Sequence, residues 1–282
     1  MSHTVSSDPL LEVADLDVVY HSRRRLPEFH ALRAVSLSVG VGETLGVVGE
    51  SGSGKSTLGK AILGLQPPSA GRIVFSGQDI THAGRPARRA LSQQMQVVFQ
   101  DPYASFNPSR TIGQSVAETV VRRKDLDRQA IQQRVGDMLE RVGIERRAMS
   151  RYPSQFSGGQ RQRIAIARAL LPHPRLVICD EAVSALDLSV QAQVLNLLAD
   201  LRDELGVAYL FISHDMGVVR HLCDRVVVLQ RGRVVETGSV IDVCEQPQDV
   251  YTQTLVNAAP VADPIKQVAR REQRRRAISV SA

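Results

Sequence analysis

Long apolar runs are missing from this 282-residue chain, and none approaches the ~20 residues that a helix needs to cross a bilayer. A membrane span is therefore not expected. Cysteine is scarce. Cys179, Cys223 and Cys244 lie far apart, without the paired spacing of a metal site or the density of a disulfide framework, which suits a reducing cytoplasm. Residues Met1 to Asp8 are polar and carry no signal-peptide core. Internal repeats and long low-complexity segments are absent as well. What remains is ordinary for a globular chain able to bury a substantial core: 43% hydrophobic and 23% charged residues, with a net charge of +6. That charge is unevenly placed. Lys266, Arg270, Arg271, Arg274, Arg275 and Arg276 face one acid, Glu272, near the end, so residues 261–282 read as a basic, flexible tail.

Against this background one stretch stands out. Gly49-Glu50-Ser51-Gly52-Ser53-Gly54-Lys55-Ser56-Thr57 fits the phosphate-binding pattern G-x-x-x-x-G-K-[ST] at every fixed position. The apolar run Thr44 to Val48 precedes it, and helix-compatible residues from Leu58 to Leu65 follow, which is the strand–loop–helix context the pattern requires. A triphosphate must be met by backbone N–H groups at close range, and glycines let the chain approach without side chains in the way. Lys55 is expected to reach the β- and γ-phosphates, and the Ser56 hydroxyl to ligate Mg²⁺. A nucleotide is the implied ligand.

Patterning divides the chain into three textures. Leu10–Tyr20, Ala34–Val39 and Gly71–Phe75 alternate or run apolar as strands do and predict an antiparallel layer near the N-terminus. Met95–Phe99 reads as a further strand. From about Thr111 to Leu171 helical spacing takes over, in Ile112–Arg122, Arg128–Val142 and Gln160–Leu171, and predicts a helical subdomain within about 101–174. Beyond Pro174, strands Leu176–Cys179 and Val207–Ile212 alternate with helices Ser189–Leu205 and Met216–Cys223, as in a parallel sheet covered on both faces. Val226–Gln230 and Arg233–Thr237, joined by Arg231-Gly232, predict a hairpin.

The strand Leu176–Cys179 ends in Asp180 and Glu181. An apolar strand ending in a carboxylate supplies a Mg²⁺ ligand in such nucleotide sites, here Asp180, and Glu181 beyond it suits a general base or water positioner. Further along, Phe156-Ser157-Gly158-Gly159-Gln160-Arg161-Gln162-Arg163 closely resembles the signature of the ATP-binding cassette (ABC) ATPases, with Phe156 where leucine is commonest. Other motifs resemble that family in its order. Tyr20 matches the aromatic that stacks on adenine, and Gln100 the glutamine that joins the Mg²⁺ site to a transmembrane partner. Ser184-Ala185-Leu186-Asp187 matches the loop that crosses the dimer interface, and His214 the histidine that contacts the γ-phosphate.

The resemblance implies an α/β fold: a mixed RecA-like sheet core carrying the P-loop, an antiparallel β subdomain and an α-helical subdomain over about 1–260, with the tail 261–282 as a short C-terminal extension. It implies Glu181, His214 and Gln100 as catalytic residues and Ser56, Gln100 and Asp180 as Mg²⁺ ligands. ATP would be held by Tyr20, Gly49 to Thr57, and Ser157, Gly158, Gly159, Gln160 and Asp187. Because the signature faces a nucleotide bound by another subunit, a dimer is implied, with an identical or homologous ATP-binding partner.

Gln100 to Pro108, Tyr152 to Gln160, Cys179 to Asp187 and Gln246 to Leu255 further resemble the ATP-binding subunits of dipeptide, oligopeptide and nickel importers. In the last run the usual His-Pro-Tyr-Thr has become Asp249-Val250-Tyr251-Thr252. This branch implies two permease subunits, an extracytoplasmic solute-binding protein and a peripheral place on the cytoplasmic face of the inner membrane. Many members continue into a cysteine-bearing iron–sulfur segment. With no cysteine after Cys244, no cluster is expected. A soluble ABC ATPase acting on nucleic acid or ribosomes is supported by the basic tail alone, and the Asp101–Pro108 run speaks against an exporter. No nucleic-acid partner is expected.

Overall fold

Apolar residues in alternation build the first sheet, where β1 (Leu11–Tyr20) buries Leu11, Val13, Leu16 and Val18. The step from Val13 to Leu16 breaks the period of two. Asp15 takes a positive φ of 48° there, and its amide donates to Ser36 Oγ at 2.8 Å, so an irregularity in register keeps both apolar residues inward. In this computed structural model, which describes residues 8–20, 28–101, 105–121 and 126–258, β2 (Phe29–Val39) and β4 (Ala70–Phe75) flank β1 antiparallel on either side. β5 (Gln78–Asp79) completes the four-stranded order β2-β1-β4-β5.

The second sheet contains β3 (Thr44–Val48), β6 (Met95–Val98), β7 (Leu176–Asp180), β8 (Ala208–Ser213), β9 (Arg225–Gln230) and β10 (Arg233–Ser239) in the order β10-β9-β3-β8-β7-β6. Its strands pair parallel except for the β9–β10 hairpin, so the sheet is mixed. β3 and β8 are buried along their whole length, as strands covered on both faces must be. The two faces serve different cores. Ala208, Leu210 and Ile212 of β8 pack with the first sheet and with Leu58, Ala61 and Ile62 of α1 (Lys55–Ile62). Tyr209 and Phe211 point the other way, into a core shared with α5 (Gly158–Leu170), α6 (Leu188–Leu205), α7 (Met216–Leu222) and α8 (Val240–Glu245).

Between β6 and β7 every regular element among the described residues is helical: α3 (Ile112–Ala117), α4 (Arg128–Arg141), two short 3₁₀ turns (Arg146–Ser150 and Pro153–Gln155) and α5. Thr111 and Gln114 form a capping box at α3, and Asp127 accepts from the Ala130 amide at α4, which fixes where both helices begin. α3 stops at Ala117, five residues short of the expected Arg122, which itself lies outside the described residues. The β-branched run Thr119-Val120-Val121 accounts for this, with Thr119 Oγ1 bonding back to Val116 O at 3.3 Å.

β2 begins at Phe29, before clean alternation sets in. Patterning also gives no sign of α2 (Arg85–Leu91), in which only Leu91 is buried, or of α9 (Val250–Ala258). No helix among the described residues is long and apolar enough to cross a membrane. The basic tail 261–282 and Pro102–Ala104 of the importer-like run lie outside the described residues.

Candidate functional site

Parallel register brings the functional loops to one edge. Val48 pairs with Ser213, Asp180 with Ile212 and Val98 with Cys179, so β3, β6, β7 and β8 all end side by side. Ligands of open α/β sheets bind outside such carboxyl ends. After β3 the chain turns through Gly49–Gly54 into α1. A side chain at Gly49 would meet the Leu229 carbonyl oxygen at 2.1 Å, and Gly54 has φ 109° with the Ala31 carbonyl 2.6 Å from where a Cβ would stand. Those two positions admit no other residue without displacing backbone. The loop is tied down from outside by Gly232 N, in the β9–β10 turn, donating to Ser53 O at 2.9 Å.

Lys55 is buried, and its Nζ donates to Gly49 O at 2.7 Å and Glu50 O at 2.8 Å, folding the side chain back over the loop. Burial holds its pKa below the usual lysine value, opposed by Glu181, Asp180 and Glu50. Glu50, Ser51 and Gly52 form the exposed rim, and Ser53 is buried. Thr57, on the first turn of α1, lies 3.4 Å by its Oγ1 from the Tyr20 hydroxyl, which brings the end of β1 to the loop.

At the end of β7, Asp180 Oδ1 accepts from Ser56 Oγ at 3.0 Å. Burial raises the Asp180 pKa and Glu181 adds to the rise, against the Ser56 hydrogen bond and the charges of Lys60 and Lys55. Glu181 adopts φ 50°, a left-handed conformation that side chains rarely take, and its amide donates to Ile212 O at 3.0 Å. This backbone sets the Glu181 carboxylate 3.5 Å from Nδ1 of His214, just past β8. Gln100 lies two residues past β6 on the same edge, exposed. Lys55, Ser56, Asp180, Glu181 and His214 thus converge, with Tyr20 and Gln100 alongside.

The second group of expected residues is organised by helix starts. Ser157 caps α5 in a reciprocal box, with Gln160 N donating to Ser157 Oγ at 3.3 Å and Ser157 N to Gln160 Oε1 at 3.0 Å. Gly158 and Gly159 form the first turn, half-buried. Asp187 caps α6, accepting from Val190 N at 3.0 Å and Ser189 Oγ at 2.7 Å, and the Val190 bond leads in holding its pKa down. The two helix starts touch, because a Cβ on Gly159 would stand 2.4 Å from Val190 Cγ1.

Residues 32–184 match the ABC transporter family. The chain belongs to that family. It is 43% identical over 270 residues to the oligopeptide transport ATP-binding protein OppF of Lactococcus lactis subsp. lactis, covering 94% of this chain and 85% of that protein. It is 47% identical over 263 residues to the glutathione import ATP-binding protein GsiA of Pectobacterium atrosepticum, covering 92% of this chain and 42% of that longer protein. Among solved structures, the dimeric post-hydrolysis state of an ATP-binding cassette bound to ADP and Pi superposes with a TM-score of 0.74 at 27% identity, over 82% of this chain and 98% of that one.

As an ABC cassette the chain binds ATP and is an ATPase, with the mixed-sheet fold described above. Its residues fit Mg²⁺ as well as nucleotide. The Ser56 hydroxyl and a buried Asp180 carboxylate already meet at 3.0 Å, and Asp180 carries a desolvation penalty that a cation would relieve. No group of three or more His, Cys, Asp or Glu among the described residues forms a separate metal cage. Such a site leaves most positions on the ion to phosphate and water. One contact escaped the motif reading. Tyr251 Oη, on α9, accepts the Glu50 amide at 2.8 Å. Its signal was the importer-like run ending at Leu255, which had no place in the nucleotide site.

Proposed function

We propose that this chain is the energy-coupling ATPase subunit of an importer that carries peptides or related small solutes through separate permease subunits. The convergence of Lys55, Ser56, Asp180, Glu181 and His214 at one edge of the parallel sheet is the observation that carries the mechanism. Similarity to OppF over nearly the whole chain supports the importer branch. The solute stays open within that class, since relatives named for oligopeptide and for glutathione match at comparable identity.

In this reading Gly49–Thr57 cradle the phosphates with backbone amides, and Lys55 turns from the Gly49 and Glu50 carbonyls to the β- and γ-phosphates. Tyr20 stacks on the adenine ring, for which base–aromatic contact contributes about 1–3 kcal/mol. Ser56 and Asp180 would hold Mg²⁺, joined by Gln100; the ion, when bound, neutralises charge on the β- and γ-phosphates. Glu181 accepts a proton from, or orients, the attacking water, and His214 contacts the γ-phosphate beside it. The Glu181 backbone geometry fixes its carboxylate before substrate arrives, which is how a site made of positioning and electrostatics gains its rate.

Ser157, Gly158, Gly159 and Gln160 present the α5 N-terminus to the γ-phosphate of a second cassette, identical or homologous, where helix-end amides favour an anion. Asp187 lies at the contact between the two. The helical segment within 101–174 and the loop after Gln100 pass closure to the permeases. An open cavity of about 1590 Å³ between the β6 edge and this segment, lined by Gln93, Gln96, Arg110, Gln114 and Arg128, supports that docking. The complex would sit peripherally on the cytoplasmic face of the inner membrane, fed by an extracytoplasmic binding protein, with 261–282 as an appended tail.

The test is purification of the tagged full chain from detergent-solubilised membranes, with mass spectrometry of what accompanies it. Two multispanning permeases, alone or with a sister ATPase, are expected. Ribosomal proteins or nucleic acid without any permease would overturn the importer reading.

A further inference from the structure

The phosphate loop is braced by a part of the chain that the ATPase motifs leave out. Glu236, on β10, receives two consecutive backbone amides: Gln248 N at 2.9 Å on Oε1 and Asp249 N at 3.1 Å on Oε2. Asp249 in turn caps α9, accepting from Tyr251 N at 2.7 Å and Thr252 N at 3.4 Å. This is where Asp249-Val250 replaces the family's usual His-Pro, and a carboxylate there makes the cap with a side-chain acceptor. Thr252 and Val256 are buried on the inner face of α9. The start of α9 is therefore fixed on β10 before its second residue, Tyr251, reaches the loop.

What Tyr251 holds is the peptide that holds the lysine. Its hydroxyl oxygen accepts the Glu50 amide at 2.8 Å, and the carbonyl of Glu50, with that of Gly49, receives Lys55 Nζ. The Glu50 N–H shares its peptide plane with the Gly49 carbonyl, so rotation of the Gly49–Glu50 peptide would swing the Gly49 carbonyl away from Lys55. The β9–β10 turn holds the other end of the loop through Gly232 N and Ser53 O. The hairpin turn and α9, separated in sequence by β10 and α8, thus fix the loop at its buried base and at its exposed rim.

We propose that Tyr251 is a positioning residue of the ATP site, setting the Gly49–Glu50 peptide and through its carbonyl the Lys55 ammonium, so that α9 adjusts nucleotide affinity from outside the ATPase motifs. The proposal rests on the reading of Gly49–Thr57 as the ATP loop. Because the Tyr251 hydroxyl reaches the loop through a backbone amide alone, its effect falls on binding rather than on the chemical step.

The experiment compares Tyr251→Phe with Lys55→Ala in the full chain. It measures binding of a fluorescent ATP analogue, the KM and kcat of ATP hydrolysis, the melting temperature, and amide hydrogen exchange of the peptide spanning 49–56 without nucleotide. Phenylalanine keeps the ring and removes one hydrogen bond, so affinity should weaken about three- to tenfold and KM rise to match, with kcat within about twofold. Exchange across 49–56 should quicken while the melting temperature stays within about 2 °C. Lys55→Ala should lose affinity at least tenfold. Unchanged affinity and exchange in Tyr251→Phe, beside a clear loss in Lys55→Ala, would overturn the positioning role and leave the ATP loop standing. Undiminished affinity in Lys55→Ala would overturn the loop assignment itself, and the proposal with it.

Discussion

Gly159 offers a way to separate packing from catalysis within one residue. Its φ lies outside the left-handed range, so alanine fits the backbone, and as a helix residue it would gain part of the roughly 1 kcal/mol by which alanine exceeds glycine. The obstacle is a single methyl group, because the new Cβ would stand 2.4 Å from Val190 Cγ1 while Val190 Cβ and Cγ2 remain at 3.7 and 3.8 Å. Val190 can relieve the clash by rotating about χ1, where one rotamer is strongly preferred in helices. That rotamer holds about 90% of helical valines, so departure costs about 1–2 kcal/mol. Gly159→Ala should therefore destabilise by about 0.5–1.5 kcal/mol, a drop in melting temperature of about 1–6 °C for a chain of this size. Val190→Ala alone loses half-buried methyls, at about 1 kcal/mol.

In the double variant the clash is gone, so chemical denaturation should reveal a favourable coupling of about 1–2 kcal/mol. A coupling below about 0.3 kcal/mol, the level expected of independent sites, would refute the steric argument. ATP hydrolysis reads the other half. If Gly159 is there so that backbone can approach the partner cassette's γ-phosphate, hydrolysis should stay depressed in the double variant although the clash is relieved. Hydrolysis recovering with relief of the clash would mean that this glycine serves packing against α6 alone.

Glu181→Gln should retain ATP binding and lower turnover by about 10²–10⁴, accumulating a closed dimer visible by size-exclusion chromatography with ATP; brisk hydrolysis would remove Glu181 from its role. Asp180→Asn keeps an acceptor for Ser56 but removes a buried charge. A carboxyl whose folded pKa is raised costs folding stability progressively as pH rises from its ordinary value of 3.8 to the raised one, and by a constant amount above that. At neutral pH the nucleotide-free variant should therefore melt no lower than the parent and its advantage should disappear below about pH 3.8, while Mg²⁺-dependent hydrolysis falls at least tenfold. Burial pushes the Cys179 thiol up to about 12, and Cys223 and Cys244 are buried too, so an alkylating reagent at pH 8 should label none of the three until denaturant unfolds the chain.

Much of this was legible in the sequence because the informative residues are local. Gly49–Thr57 fix a strand, a loop and a helix start within one short stretch, and Asp180-Glu181 follow an apolar strand that cannot be placed anywhere but in a covered sheet. Period-two alternation marked β1 and the second half of β2, and helical spacing marked α4, α5 and α6. The failures have equally local causes. α2 buries one side chain and so shows no apolar stripe, and α3 ends early because three β-branched residues follow it. The Tyr251–Glu50 hydrogen bond spans 201 positions and depends on how α9 is anchored to β10, which no periodicity encodes.

The two pKa shifts at the heart of the site argue for why it needs its ligands. Lys55 is pushed down and Asp180 up, chiefly by burial in both cases, so each charge is disfavoured by its own surroundings. Hydrogen bonds within the chain compensate in part, Lys55 to two carbonyls and Asp180 to the Ser56 hydroxyl. Two carbonyl dipoles are weaker partners for an ammonium than a triphosphate, and one hydroxyl is a weaker partner for a carboxylate than a divalent cation. In the proposed mechanism, binding of MgATP would relieve two penalties that folding imposes. The Ser157 and Asp187 turns differ in kind, since their hydrogen bonds close within their own helix starts and leave little in this chain for them to recognise. A helix N-terminus so finished, with glycines in its first turn, is suited to a phosphate supplied from outside, which is why a second cassette belongs in the mechanism.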